Sequence, residues 1–184
     1  PCPAFSAAGT VKIPPLPLKF WGQGRKKRWN MDNKILVTYF SASGVTARAA
    51  KEIASSVGAD IAEIKPAVPY TSADLNWMDK KSRTTLESKD MNCRPEMAAD
   101  IDVAPYDTVF VGFPVWWYRE PAIIDTFLES GNFSGKKIIP FATSGGSGIE
   151  GSERHMKEVC PTAVWVKGKL VNRGAEAWAK EVIK

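Results

Sequence analysis

A short run of small and hydroxyl-bearing residues, Ser41-Ala42-Ser43-Gly44-Val45-Thr46, could bind a phosphate group. The run contains no lysine or arginine, so binding would depend on backbone N–H groups that small side chains leave open, assisted by the N-terminus of a following helix. The alternative is an ordinary helix cap, with Ser43 or Thr46 as the capping hydroxyl. Three hydroxyl groups are more than one cap needs, so the composition favours phosphate binding.

A second segment, Pro114-Val115-Trp116-Trp117-Tyr118-Arg119, carries three consecutive aromatic residues after an apolar run. Neighbouring side chains of an extended chain point to opposite faces, so the three rings cannot all enter one core. We expect at least one of them to meet solvent or a ligand. A flat ring system would gain by stacking on such a side chain.

A third segment, Thr143-Ser144-Gly145-Gly146-Ser147-Gly148, lets the backbone come close to the edge of a ligand, where N–H groups can donate hydrogen bonds. Alone this signal is weak, because many serine-glycine turns have the same composition. The hypothesis of a ligand site depends on the convergence of all three segments.

Alternating strands and helices from Met31 onward are predicted to bring the segments together. Short, mostly apolar strands are predicted at residues 34–40, 59–64, 107–113, 136–142 and 163–166, and helices at residues 46–57, 121–131, 149–159 and 175–183. Repeated strand-helix units predict the α/β class, with a doubly wound parallel sheet of five strands. Ligands of such sheets bind at the carboxyl ends of the strands, which is where the three segments fall.

The polar stretch of residues 65–105 is longer than a crossover connection requires. A helix is predicted at Asp74–Met78. We expect Trp77 and Met78 to pack beneath a loop, with coverage of a ligand edge as the alternative.

The positive charge of the chain is local. The formal charge is +5, but residues 1–30 carry six basic side chains and no acid, which leaves −1 for residues 31–184. The proline-rich residues 1–30 are expected to be a disordered basic extension outside the fold, with Met31 as the natural start. The alternative is a basic patch at residues 25–28 for anionic surfaces.

Several classes of function are excluded by the motifs. The P-loop signature is absent, the near match to a serine-hydrolase elbow at residues 145–149 lacks its final glycine, and the cysteines have no C-x-x-C spacing. The single histidine, His155, excludes a multi-histidine metal site and is expected to be a solvated helix residue. No metal site, catalytic residue or nucleic-acid binding is therefore predicted. Without a long apolar stretch or a leader sequence, a cytoplasmic protein that does not contact membranes is expected.

The three segments resemble the cofactor site of the flavodoxin family. Residues 40–46 resemble the flavodoxin phosphate loop, residues 112–117 resemble the loop that lays an aromatic ring on the isoalloxazine, and residues 143–148 are similar to the loop bordering the flavin pyrimidine. The similarity covers residues 31–184 and includes Asp74-Leu75-Asn76-Trp77. It implies a flavodoxin-like sheet of strand order 2-1-3-4-5 and non-covalently bound FMN.

The resemblance also implies a set of cofactor-binding residues, with Trp116 stacked on the flavin. The set is Ser41, Ala42, Ser43, Gly44, Val45, Thr46, Pro114, Val115, Trp116, Trp117, Tyr118, Thr143, Ser144, Gly145 and Gly146.

Two departures from the family pattern keep more than one function open. Val45 replaces the usual asparagine and offers only its backbone N–H, and the third segment has no tyrosine to cover the second flavin face. The resemblance implies electron transfer through FMN with redox partner proteins. The alternative is an NAD(P)H-dependent FMN reductase acting on quinones or similar small acceptors, and another is a non-catalytic flavin-binding or structural α/β module. The oligomeric state is left open between monomer and dimer.

Overall fold

The computed structural model describes residues 34–184, so the extension predicted at residues 1–30 and the start at Met31 lie outside the described residues. The elements in chain order are β1 (Ile35–Tyr39), α1 (Val45–Val57), β2 (Asp60–Glu63), α2 (Arg83–Lys89), β3 (Thr108–Pro114), α3 (Ala122–Ser130), β4 (Lys137–Thr143), α4 (Glu150–Val159), β5 (Val164–Trp165), β6 (Lys169–Leu170) and α5 (Ala175–Val182). The strands are parallel, in the order β2-β1-β3-β4-β5, and β6 also pairs with β4. The predicted α/β class and strand order are confirmed.

Helices cover both faces of the sheet, which is why β3 and β4 are apolar along almost their whole length. Val109 and Val111 of β3 face the core beneath α3 and α4, whereas Phe110 faces the core beneath α1 and α5. This alternation follows from the pleat of the strand. Within residues 34–184, no helix is long and apolar enough to cross a membrane.

The last position of the sheet is divided between two short strands, and the second of them was not predicted. The carbonyl groups of Ile138 and Ala142 in β4 accept hydrogen bonds from the N–H groups of Val166 (2.9 Å) and Val171 (2.8 Å). The backbone of Pro140, which lies between these two acceptors, faces the same edge. Proline has no N–H to donate, so the ladder is interrupted there. The predicted fifth strand is thus β5, and β6 resumes the pairing beyond the interruption.

The helix predicted at Asp74–Met78 is wrong, because these residues form turns and α2 lies further along the chain. Asp74 Oδ2 accepts hydrogen bonds from the N–H and the hydroxyl of Thr71, at 2.8 and 2.7 Å. Asn76 Oδ1 accepts a hydrogen bond from the N–H of Met78 at 3.1 Å. Side chains that bond to the nearby backbone compete with helix formation, and here they fix turns.

Trp77 and Met78 do not pack beneath a loop as expected. Their relative exposures are 69% and 74%, so both side chains project from the turns into solvent.

Candidate cofactor site

The three loop segments lie at one edge of the sheet, because β1, β3 and β4 are parallel and end there in register. The hydroxyl groups of Thr46 and Thr143 are hydrogen-bonded at 2.8 Å, and both residues are buried. The N–H of Val115 donates to the carbonyl oxygen of Thr143 at 2.9 Å. Thr143 therefore connects all three segments directly.

The first loop leads into α1 without a side-chain cap. The N-cap residue is Gly44, in the left-handed conformation (φ 83°), so neither Ser43 nor Thr46 is the capping hydroxyl considered above. Ser41 Oγ accepts a hydrogen bond from the N–H of Gly44 at 3.1 Å. In the described part of the chain, the N–H groups of Ser43, Val45 and Thr46 donate to no acceptor. These donors remain open at the N-terminus of a 13-residue helix.

The surroundings of these donors fit an anion. Ala42, Ser43 and Gly44 are exposed, and a Cβ placed on Gly44 would meet no atom within 4 Å. Val45 is also exposed, so it offers its N–H without obstructing the loop. The first turn of α1 has no acidic residue that would repel a phosphate. The helix dipole adds partial positive charge at the same point.

The second segment forms a tight turn, which we call the aromatic turn (residues 116–119). Trp116 and Arg119 exchange both backbone hydrogen bonds, at 2.8 and 3.0 Å. The two residues between them, Trp117 and Tyr118, have φ angles of 51° and 66°. A left-handed conformation costs a residue other than glycine about 1–2 kcal/mol. The aromatic turn is therefore strained and must be held by its surroundings.

The three rings of the second segment have different environments. Trp116 is half-buried, and its ring makes edge-to-face contacts with Phe40 and Tyr70, at centroid distances of 5.5 Å each. Trp117 and Tyr118 are exposed, which confirms the expectation that at least one ring meets solvent or a ligand. The preceding residues, Pro114 and Val115, are half-buried and join the turn to β3.

Tyr70 is a residue of this region that was not predicted from the sequence. Its hydroxyl donates to Glu87 Oε2 at 2.7 Å, and the guanidinium of Arg83 lies 4.1 Å from the centre of its ring. Because Tyr70 is fixed in this way, the Trp116 ring that it contacts is also restricted.

The third loop is fixed by Asn172, which was also missed. Asn172 Oδ1 accepts a hydrogen bond from the N–H of Ser144 at 3.0 Å, and its side-chain amide donates to the Ser144 carbonyl at 2.7 Å. Ser144 Oγ accepts from the N–H groups of Gly146 and Ser147. The predicted donors Ser144 and Gly146 are thus already bonded, whereas the N–H of Gly145 has no acceptor among residues 34–184. A Cβ on Gly145 or Gly146 would meet open space.

A cluster of ionisable side chains, which we call the buried cluster (Arg119, Glu120, Asp125 and His155), lies behind the aromatic turn. Arg119 Nη2 donates to Asp125 Oδ2 at 2.7 Å, and Glu120 Oε1 lies 2.5 Å from His155 Nδ1. The side chains of Glu120 and Asp125 are fully buried, and that of His155 is 15% exposed. The expectation that His155 is solvated is therefore wrong.

Burial governs the ionisation of this cluster. It raises the pKa of Asp125 to about 7, with repulsion by Glu120 as the next cause, and it also raises the pKa of Glu120. Burial lowers the pKa of His155. The buried side-chain atoms without a hydrogen-bond partner among residues 34–184 belong to Arg119 (Nε), Glu120 (Oε2), Asp125 (Oδ1) and the neighbouring Ser152 (Oγ).

Ligand atoms of Glu120, Asp125 and His155 lie within 4.8 Å of one another, a spacing that a metal ion could bridge. Arg119 Nη2, however, lies 2.7 Å from Asp125 Oδ2 and 3.3 Å from His155 Nδ1. The guanidinium already supplies positive charge at this place, so the arrangement is that of an ion-pair network.

The parallel sheet and the loops along its carboxyl edge define a flavodoxin-like α/β domain. The chain belongs to the flavodoxin family, because the family model described as Flavodoxin matches residues 34–183. The family predicted from the sequence is thus confirmed, and family membership supports FMN as the cofactor.

Solved structures agree with this assignment. A candidate flavoprotein of Bacteroides eggerthii DSM 20697 is 45% identical, with a TM-score of 0.78 over 82% of this chain and 98% of that chain. A second candidate flavoprotein, from Bacteroides uniformis ATCC 8492, is 46% identical, with a TM-score of 0.78 over 83% of this chain and 99% of that chain. A flavoprotein of Lactobacillus acidophilus NCFM, solved in complex with FMN, is 22% identical. Its TM-score of 0.66, over 83% of this chain and 99% of that chain, shows a shared fold. None of the curated proteins matches the chain.

Proposed function

We propose that the chain binds FMN non-covalently at the carboxyl edge of its sheet and mediates electron transfer through it. One observation carries the proposal: Thr143 connects three loops around a helix N-terminus whose N–H groups have no acceptor. Membership of the flavodoxin family supports it. The FMN complex of the Lactobacillus acidophilus protein, which has the same fold, is consistent with it.

The first loop would hold the phosphate. The N–H groups of Ser43, Val45 and Thr46 are the open donors, and the Ser43 hydroxyl lies on the same exposed loop. Hydrogen bonds to a charged acceptor are about twice as strong as those between neutral groups, so a few backbone donors suffice without a lysine or arginine. The exposed Ala42 and the left-handed Gly44 keep side-chain bulk away from the donors.

The aromatic turn and the third loop would hold the ring system. Trp116 is the proposed stacking residue, because its contacts with Phe40 and Tyr70 fix its ring at the end of β3. Gly145 offers a free N–H to the ring edge, from a loop that Asn172 holds in place. FMN supplies the redox chemistry when bound, whereas these residues orient it and limit its contact with water.

The NAD(P)H-dependent reductase is the second candidate, and one feature favours it. The third loop is exposed at Gly145 and Gly146, with no protein atom within 4 Å of a Cβ at either position. This openness would give a nicotinamide or a quinone access to a flavin held there. An electron carrier would instead meet redox partner proteins at this rim. The cytoplasmic location and the choice between monomer and dimer stay predictions.

The proposal is tested by titrating the full-length protein with FMN while recording flavin absorbance and fluorescence. We expect saturable binding of one FMN per chain, with quenching by the neighbouring tryptophan. An absence of binding would contradict the proposal. Steady-state oxidation of NADPH by the FMN-loaded protein with a quinone then separates the candidates, since a carrier shows almost no turnover and a reductase shows sustained turnover.

A further inference from the structure

The aromatic turn and the buried cluster are parts of one structure. Arg119 closes the turn through its backbone, while its side chain reaches Asp125 on α3. The next residue, Glu120, reaches His155 on α4. Helix α4 also packs directly against the turn, because a Cβ on Gly151 would collide with the Tyr118 carbonyl oxygen. The strained residues are thus held from behind by two helices.

The charges of the buried cluster balance only if it keeps one proton. Arg119 supplies one positive charge, and the carboxyl groups of Glu120 and Asp125 supply two negative charges when both are ionised. Arg94 Nη1 lies 3.8 Å from Asp125 Oδ2, but Arg94 is engaged in two hydrogen bonds with Glu129, at 2.8 and 2.7 Å. A second buried carboxylate is costly without a partner, so a proton is retained.

We propose that the buried cluster is a proton-dependent clamp, in which a proton held by its carboxyl groups keeps the aromatic turn closed in the conformation that presents its rings to the cofactor. This inference rests on the proposed function for the role of the rings. The clamp itself is a property of the protein without FMN. Asp125 and His155 are positioning residues here, because neither belongs to the three loops.

The direction of the pH effect follows from which state holds the proton more tightly. Burial raises the pKa of Asp125 from 3.8 to about 7 in the closed turn, whereas an opened turn would expose Asp125 to water. The closed turn therefore keeps a proton that the open turn releases, and opening becomes easier as pH rises from about 4 to 7. Above pH 7 both states are ionised, and the effect levels off.

His155 acts in the opposite sense. Burial lowers its pKa, so the closed turn disfavours a charged imidazole, and acidification through the ordinary histidine range favours opening. Other charged groups also face the cluster: Arg94 from the loop after α2, Glu129 from α3 and Glu158 from α4. Asp125→Asn removes the titration of Asp125 and leaves these groups in place, so the comparison with wild type isolates Asp125.

Amide hydrogen exchange in the FMN-free full-length protein tests the clamp. The N–H groups of Trp116 and Arg119 close the turn, and their protection is corrected for intrinsic exchange rates at each pH. We expect the protection in wild type, relative to Asp125→Asn, to fall at least about tenfold between pH 5 and pH 7.5 and to level off above that. A ratio that does not change with pH would overturn the proposal.

Glu176→Gln is the matched control, because it also removes one carboxylate but lies on α5, away from the buried cluster, where it pairs with the exposed Lys180. It should leave the pH dependence of the two amides as in wild type, and loss of the dependence in this variant would also count against the clamp. If Asp125→Asn does not fold, Glu120→Gln takes its place, because it fixes the other carboxyl group in a neutral form. The protection in wild type relative to Glu120→Gln should then fall between pH 5 and pH 7.5, and an unchanged ratio would overturn the proposal.

A second readout uses FMN affinity. The ratio of the dissociation constant of wild type to that of Asp125→Asn should rise several-fold between pH 5 and pH 7.5, because titration of the FMN phosphate cancels in the ratio. If FMN does not bind but the amides show the expected pH dependence, the clamp stands and the proposed function fails. If FMN binds but the amides show no such dependence, the clamp fails and the proposed function stands.

Discussion

The two sides of the candidate site are built in opposite ways. The first loop offers backbone N–H groups and hydroxyls, has no charged side chain between Ser41 and Thr46, and is open to solvent. The aromatic turn is backed by the buried cluster, with two fully buried carboxyl groups and a guanidinium. The uncharged side is the one proposed to bind a charged group, and the charged side is the one proposed to bind an apolar ring.

This difference indicates that the charged side chains of the buried cluster hold the protein's own aromatic turn and do not bind the ligand. An anion is attracted by aligned N–H groups at a helix N-terminus, which need no ionisable partner and do not change with pH. A strained turn needs neighbours that hold it, and buried hydrogen-bonded charges do this at the cost of sensitivity to protonation. The two sides should therefore respond differently to ligand changes and to pH.

The largest effect should follow from removing the phosphate. Riboflavin lacks the group that the first loop is proposed to hold, and two or three charge-assisted hydrogen bonds are worth on the order of 4 kcal/mol. We expect riboflavin to bind about 1000-fold more weakly than FMN in fluorescence titrations, with little change in the ratio between pH 7 and pH 8.5. Equal affinities for riboflavin and FMN would show that the first loop does not bind the FMN phosphate.

The next effect concerns the stability of the fold. Between pH 4 and pH 7 the native protein keeps a proton on Asp125 that the unfolded chain has released, so the contribution of Asp125 to stability falls as pH rises. The free energy of unfolding of wild type, relative to Asp125→Asn, should drop by about 2–4 kcal/mol across this window. Urea unfolding at several pH values measures it. The control Glu176→Gln, which keeps Asp125, should show the same drop as wild type relative to Asp125→Asn.

A smaller effect is expected for the stacking ring. Trp116→Ala should weaken FMN binding by about 2 kcal/mol, or roughly 30-fold, and Trp116→Phe should recover part of the loss. Trp165→Ala is the control, because Trp165 on β5 pairs with Ile138 near the start of β4, away from the carboxyl edge that carries the three loops. Comparable losses in the two alanine variants would mean that Trp116 has no special role.

The smallest effect tests the link between the loops. Thr46→Val removes one hydroxyl of the buried pair with Thr143 and leaves the other without its partner. We expect about 1 kcal/mol of lost stability and a few-fold weaker FMN binding. Thr126→Val removes another threonine hydroxyl bond, from Thr126 on α3 to the carbonyl of Pro95 in the loop after α2, and should lower stability without changing FMN affinity. An unchanged affinity in Thr46→Val as well would show that this link does not support the cofactor.

Much of this architecture could be predicted from local patterns. Runs such as Thr108–Pro114 are apolar because both faces of the sheet are covered, and glycines mark where α1 begins and ends. The three loops could be found because their composition is unusual at the ends of such strands. The order of the strands in the sheet was predicted from the family resemblance, since periodicity does not determine which strands are neighbours.

The missed features depend on contacts between distant residues. Asn172 looks like any loop asparagine until it meets Ser144. The buried cluster left one signal in the sequence, because Asp125 interrupts the apolar run of α3 and an acid there has to find a partner. That signal did not identify His155, which lies on another helix. The turns at Asp74–Met78 were missed because helix propensity does not weigh the side-chain bonds that compete with it.

The proline in the middle of β4 has a consequence for association between molecules. An exposed sheet edge presents unpaired N–H and carbonyl groups, which can template a strand from another chain. Because Pro140 divides the outer strand into β5 and β6, each of two residues, this edge offers no continuous ladder. A strand from another molecule would therefore meet only two short pairing segments along this edge.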